Sequence, residues 1–221
     1  MSGSAALLVL ADGRFPAGGH AHSGGAEAAV RAGRIRDAES LHRFCAGRLH
    51  TAGLTAAALA AAAAAGTDPL VLDEAADART PSPALRRTAR KLGRQMMRAA
   101  RAAWPGPELD ALAAARPKGA HQPVVLGLAA RSAGLGPLDA AYAAAYENAS
   151  GPATAVIRLL SLDPFDATTV LARLAPEIEE VARRAAAVCD GPVDDLPAAS
   201  APLLEITAEQ HAAWPVRLFA S

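Results

Sequence analysis

Aromatic side chains are nearly missing from this 221-residue chain: four Phe, two Trp and two Tyr make up 4% of it. That scarcity removes the stacking platforms on which single-stranded nucleic acid is bound, and it leaves few of the large residues that strands favour. Net charge is missing too. With 22 basic residues set against 22 acidic ones, no global field draws the protein to nucleic acid or to a membrane surface. The two cysteines, Cys45 and Cys189, lie far apart in sequence, which excludes a disulfide scaffold and reads as buried thiols in a reducing compartment. Long apolar runs are lacking as well, because the stretch from Ala56 to Ala65 is too short and too weakly apolar to span a bilayer. The opening residues carry no basic segment before Asp12, so the expectation is a soluble cytoplasmic protein.

What the chain has in abundance is alanine, the best helix former and a poor strand former. The pattern predicts an all-α fold, a single-domain helical bundle of roughly ten helices over residues 1–221. Residues 4–11 make a first helix and Ala26–Ala32 a second, stopped by Gly33. Asp37 caps a long helix through Leu41, Phe44, Cys45, Leu49 and Leu59 to Gly66, its alanine-rich half suited to the bundle centre. Pro69–Ala78 is a short acidic helix. Ser82 caps the next one, which runs from Ala84 to Ala103. Glu108–Ala115, a helix from His121 to Ala133, and Leu138 to about Leu160 follow, the last kinked or divided by Pro152. Asp166 caps a helix to Cys189 with Pro176 inside it. A connector spans 190–202, Leu203–Ala213 forms a weak helix, and 214–221 is a tail.

The least regular stretch is the elbow from Leu10 to Glu27, which holds five glycines, a proline and two histidines between helical segments. Glycine at that density signals positive φ or close approach of backbone to a neighbour. A phosphate cradle would need a Walker or GxGxxG spacing, and neither is present. A metal site on His20 and His22 lacks a third ligand nearby. A plainer reading makes the elbow a turn into a helix, with Ser23 or Gly24 as N-cap and Glu27 favoured by the helix dipole.

Between Ala84 and Ala103 seven basic residues, Arg90 and Arg94 among them, fall in one arc of about 140° at 100° per residue. No acidic residue interrupts 78–107. The arc is either a solvated face or a docking surface for an acidic partner or dimer mate. Catalytic patterns are absent: the six histidines are scattered, and His42 and His50 sit about 12 Å apart along one helix, too far to share a metal. Glu177, Glu179 and Glu180 read as a solvated face with i,i+4 partners in Arg183 and Arg184. At the C-terminus Arg217, Leu218 and Phe219 either fold back on the core or order on a partner. The chain reads as an interaction module and not an enzyme.

Several stretches together resemble the urease accessory protein F (UreF) family. They are Phe15-Pro16-x-Gly18-Gly19-x-x-x-Ser23-x-Gly25-x-Glu27; the basic run Leu85 to Met97; His121-x-Pro-Val-Val-x-Gly127; Tyr146-x-Asn148 with Ala155-x-x-Arg158-Leu; and Ile206, His211 and Arg217-Leu218-Phe219-x-Ser221. The resemblance implies an all-α homodimer without enzymatic activity that assists maturation of urease. It would bind a UreD/UreH-type protein, recruit a UreG-type GTPase, and act on apo-urease. Nickel and GTP would be handled by those partners, with no cofactor or metal fixed in this chain. Partner contact would fall on Phe15, Pro16, Gly18, Gly19, His20, Ser23, Glu27, Arg90, Arg94, His211, Arg217, Leu218 and Phe219, with His20 and Arg217 facing the GTPase. The chain departs from the family pattern at His20, usually Phe or Tyr, at Ala26, Gln210, Ala212 and Pro215, and at Leu160-Ser-Leu-Asp-Pro, which lacks the usual Gly-Gln. The alternatives are a divergent helical scaffold, a histidine-based nickel-binding protein, and a GTPase activator using Arg217 or Arg14 as an arginine finger.

Overall fold

Alanine at almost every position lets helix Leu54–Ala65 sit where no bulkier helix would fit. In the computed structural model, which describes residues 3–220, ten of its twelve residues are buried. We number the helices α1 (Gly3–Ala11), α2 (Ala26–Arg31), α3 (Ala38–Arg48), α4 (Leu54–Ala65), α5 (Pro69–Ala78), α6 (Pro83–Ala103), α7 (Pro107–Ala115), α8 (Gln122–Ser132), α9 (Pro137–Leu160), α10 (Pro164–Ala186) and α11 (Pro202–Ala212). A π turn, Leu49–Gly53, joins α3 to α4 into one rod, which leaves ten rods among the described residues and no strand. No helix among them is long and apolar enough to cross a membrane.

Helix α4 is the axle, packed by α8, α9 and α10. Its contact with α8 is backbone to backbone: a Cβ on Gly127 would lie 2.2 Å from the Ala60 carbonyl oxygen and 2.6 Å from Ala63 Cβ. Asp37 starts α3 with a reciprocal capping box to Ser40, and Gly66 ends α4 at φ 109°. Ser82 caps α6 by accepting from the Leu85 N–H at 3.1 Å. A second cap comes from α11. Glu205 accepts from the Ser82 N–H at 2.7 Å, and Glu209 accepts from the Ala84 N–H at 2.7 Å and from the Ser82 hydroxyl. The carboxylates of α11 thus lie on the positive end of α6.

Three expectations change. The cap of α10 is Asp163, three residues before Asp166, because Pro164 opens the helix and the Asp163 carboxylate accepts from the Phe165 N–H at 2.9 Å. Pro152 does not divide α9, which runs unbroken for 24 residues. The carbonyl that Pro152 leaves without its helical donor belongs to Asn148, and Arg48 Nε of α3 donates to it at 3.2 Å. Nor is the basic arc of α6 a row of free cations. Arg86 holds the carbonyls of Thr80 and Pro81, Arg101 pairs with Asp110 at 2.6 Å, and Arg90 is committed to Asp73 and Asp77. Acids from neighbouring elements reach a face that is acid-free in its own sequence. Arg87, Lys91, Arg94 and Arg98 stay exposed.

Candidate partner-binding site

Two segments almost 200 residues apart in sequence meet at one surface. The elbow reaches it through positive φ at Gly18 (81°), Gly24 (59°) and Gly25 (91°). Gly25, not Ser23 or Gly24, is the N-cap of α2; Ser23 supports the turn by accepting the Glu27 N–H on its hydroxyl at 3.2 Å. A Cβ on Gly25 would lie 2.3 Å from Leu204 Cδ1, so this glycine also lets α11 approach.

Glu27 is then held, buried, where the chain end arrives. Its carboxylate accepts from the N–H of Leu218 at 2.7 Å, from the N–H of Phe219 at 3.0 Å, and from His211 Nε2 at 2.8 Å. Burial works against the charge, yet the Leu218 N–H, His211 and the Phe219 N–H outweigh it and hold the carboxyl below its ordinary range. The Ala220 N–H donates to the Ala21 carbonyl at 2.8 Å and closes the seam. Phe219 is only 4% exposed, with the Arg158 guanidinium 5.0 Å over its ring. Trp214 lies between His211 and the Arg31 guanidinium, 4.7 and 4.2 Å away.

The tail therefore folds back through Phe219 while Leu218, 55% exposed, and Val216, 80% exposed, stay outside with Arg217. On α11, Leu203 and Ile206 are likewise exposed, at 55% and 57%. Below the tail a cleft of about 450 Å³ opens between α6 and α11, with Leu85, Leu92 and Leu204 among its apolar walls and Arg87, Lys91 and Arg217 among its cations.

Ser23, Glu27, His211, Arg217, Leu218 and Phe219 thus gather at one place. At the bend of the elbow Gly18 is buried, with the Gln95 side chain where a Cβ would lie, Gly19 is half-buried, and only His20 is exposed. Phe15 and Pro16 lie further along it, with Phe15 stacked on Trp104 at 5.8 Å and Pro16 exposed. Arg94 stands apart on the outer face of α6. Arg90 leaves the set of docking residues, because its guanidinium meets Asp73 at 3.0 Å and Asp77 at 2.6 Å. Asp73, fully buried, also accepts from Arg116 Nε and from the His121 N–H, each at 2.8 Å. His121 Nε2 lies 2.7 Å from Asp77. The distinctive His121-x-Pro stretch is thereby an internal strut joining α5, α6 and α8.

His22 is buried, and its pKa falls to about 4 through burial, then Lys91, then His20. Among the described residues no group of three or more His, Cys, Asp and Glu is placed to hold a metal ion. His50 pairs instead with Glu177 at 2.8 Å, so that carboxylate is not simply solvated, whereas Glu179 and Glu180 make i,i+4 pairs with Arg183 and Arg184. Burial pushes the Cys45 thiol up to about 12, which keeps it unreactive. Sequence reasoning missed Arg48, which also donates to the Gly24 carbonyl and the Asn148 side chain, each at 3.0 Å. The signal was Pro152: a buried helix-interior proline orphans the carbonyl four residues earlier, and some donor must supply it.

A family model described as UreF matches residues 35–175. The elbow and the tail lie outside that stretch, but full-length relatives cover both. The chain is 44% identical over 216 residues to a urease accessory protein UreF of Mycobacterium sp. (strain JLS), covering 97% of each chain. It is 42% identical over 225 residues to that of Mycolicibacterium vanbaalenii, covering all of both. With that of Mycobacterium tuberculosis it shares 39% over 214 residues, 96% of this chain and 95% of the relative. A match to more than half the chain, with relatives this similar along its whole length, means that the protein belongs to the UreF family of urease accessory proteins and is an accessory factor rather than an enzyme.

Proposed function

We propose that this protein acts in urease maturation as a surface-presenting scaffold that binds a UreD/UreH-type protein and recruits a UreG-type GTPase to apo-urease in the cytoplasm. Nickel and GTP are handled by those partners. The observation that carries the reading is the seam between elbow and tail. One buried carboxylate, Glu27, ties down the backbone of Leu218 and Phe219. That leaves Arg217, Leu218, Val216 and His20 displayed on an otherwise folded surface. Ordering the tail beforehand lowers the entropy cost of docking a chain end.

Within this reading Arg217 and His20 face the GTPase, while the exposed apolar positions of α11 and the tail contact the UreD/UreH-type protein. A second copy of the chain completes a homodimer. Residues 1–221 act as one domain, and 214–221 is its partner-binding tail. The test is co-purification of the wild type and Arg217→Ala with both accessory partners. The expected result is loss of the GTPase with retention of the UreD/UreH-type protein. Unchanged recruitment of the GTPase removes the tail from its surface.

A further inference from the structure

The four cations that α6 keeps exposed form a stripe. At 100° per residue Arg87, Lys91, Arg94 and Arg98 fall within an arc of about 60° and span about 16 Å of the helix. The acids of neighbouring elements are engaged elsewhere. Asp73 and Asp77 hold Arg90, Asp110 holds Arg101, and Glu205 and Glu209 cap the start of α6. Glu209 acts on Arg87 only through space, and none of the four cations makes an ion pair or a hydrogen bond among the described residues. Like charges at this spacing repel one another, so an incoming anion relieves the stripe.

Arg87 and Lys91 also stand in the wall of the cleft of about 450 Å³ between α6 and α11, where Arg217 of the tail adds a third exposed cation. The other two guanidinium groups of that wall are occupied: Arg48 holds Gly24 and Asn148, and Arg79 holds the carbonyls of Val193, Leu196 and Pro197. Glu205 is the one carboxylate lining the cleft among the described residues, and it already accepts the Ser82 N–H. Leu85, Leu92 and Leu204 make the cleft apolar beside this charge. A nucleic-acid backbone or an anionic bilayer would match the cations and leave the apolar wall empty. A purely apolar ligand would leave the cations unmatched. A protein segment with carboxylates on one side and an aliphatic side chain on the other satisfies both.

We propose that α6 and α11 form a docking groove for an acidic amphipathic segment of a partner protein. Its carboxylates lie along the four cations of α6, and one aliphatic side chain seats among Leu85, Leu92 and Leu204. A helix matches best, because carboxylates at i, i+4, i+7 and i+11 repeat the spacing of the stripe. The cations draw the segment in, an attraction that salt weakens, and the apolar seat retains it. The groove rests on the reading of this chain as a surface-presenting scaffold, and it holds whichever accessory protein supplies the segment.

The test is fluorescence anisotropy of a labelled synthetic helix of about sixteen residues, with Glu at the spacing of the stripe and Leu on the adjoining face, titrated with the full-length protein. A control peptide of the same composition in shuffled order keeps the charge and loses the two faces. In about 0.15 M sodium chloride the patterned peptide is expected to bind saturably, about tenfold more tightly than the shuffled one, and to shift the methyl resonances of Leu85, Leu92 and Leu204. Combining Arg87→Glu with Lys91→Glu weakens binding about tenfold, whereas Arg183→Glu on α10 leaves it unchanged. If the double variant fails to fold, the two peptides on the wild type still decide the matter. No saturable binding, equal binding of the shuffled peptide, or equally tight binding of a DNA duplex or of phosphatidylserine vesicles overturns the groove. Should that happen while the accessory partners still co-purify with the wild type, the scaffold reading stands without it.

Discussion

Two buried carboxylates in this molecule use the same chemistry to opposite ends. Asp73 is fully buried and receives Arg90, Arg116 and the His121 N–H; Glu27 is buried and receives His211 and the N–H groups of Leu218 and Phe219. Asp73 ties α5, α6 and the start of α8, each with a face in the core. Its donors cannot leave without exposing that core. Glu27 ties a chain end in which only Phe219 is buried, so its two N–H donors there can leave while His211 stays on α11. A carboxylate's worth to the fold is set by what its partners are attached to, and this makes the first a keystone and the second a clasp.

The sharpest way to break the comparison is to remove each carboxylate in turn. Asp73→Ala leaves two guanidinium groups without their shared anion, and we expect a loss of about 3–5 kcal/mol in urea unfolding. Gly127→Val, which forces a side chain onto the Ala60 carbonyl, is expected to cost about 1–3 kcal/mol by the same measurement. Glu27→Gln is expected to cost about 1–2 kcal/mol. Its signature is local: amide exchange at Leu218, Phe219 and Ala220 accelerates while α4 and α9 keep their protection. Exchange spreading to the core would make Glu27 a keystone too.

Acid sharpens the same contrast. The carboxyl of Glu27 is held below its ordinary value of 4.5, so its stabilisation is fully present above that value and is lost as pH falls through the lower, folded one. Tail amides should therefore lose protection below about pH 4.5 while far-ultraviolet ellipticity is unchanged. The smallest effect on the fold is expected at exposed Arg94, where Arg94→Glu should change stability by less than about 0.5 kcal/mol. Any weakening of partner assembly by that variant then reports on the surface alone.

Much of this architecture was legible beforehand, for reasons the two regions illustrate. Local signals carry helix ends: Asp37, Gly66, Ser82 and the stretch Pro69–Ala78 fall where capping and helix propensity place them. The elbow and tail declared themselves through glycine density and terminal anchors, and five of the residues they contribute converge, joined by His211 of α11. Pairing across the chain was not legible. Nothing near Arg90 in sequence announces Asp73, and no local rule joins Glu27 to Leu218, because those partners are chosen by packing. Arg48 was hidden for the same reason, although Pro152 marked the carbonyl it would serve.

The most direct test of the clasp measures the affinity of the full-length protein for the UreG-type GTPase, in the presence of the UreD/UreH-type protein, for wild type and Glu27→Gln. The account predicts that Glu27→Gln weakens binding at least tenfold, the tail having come loose while the helical core stays folded. Wild-type affinity in a variant whose Leu218 and Phe219 amides exchange freely would contradict it.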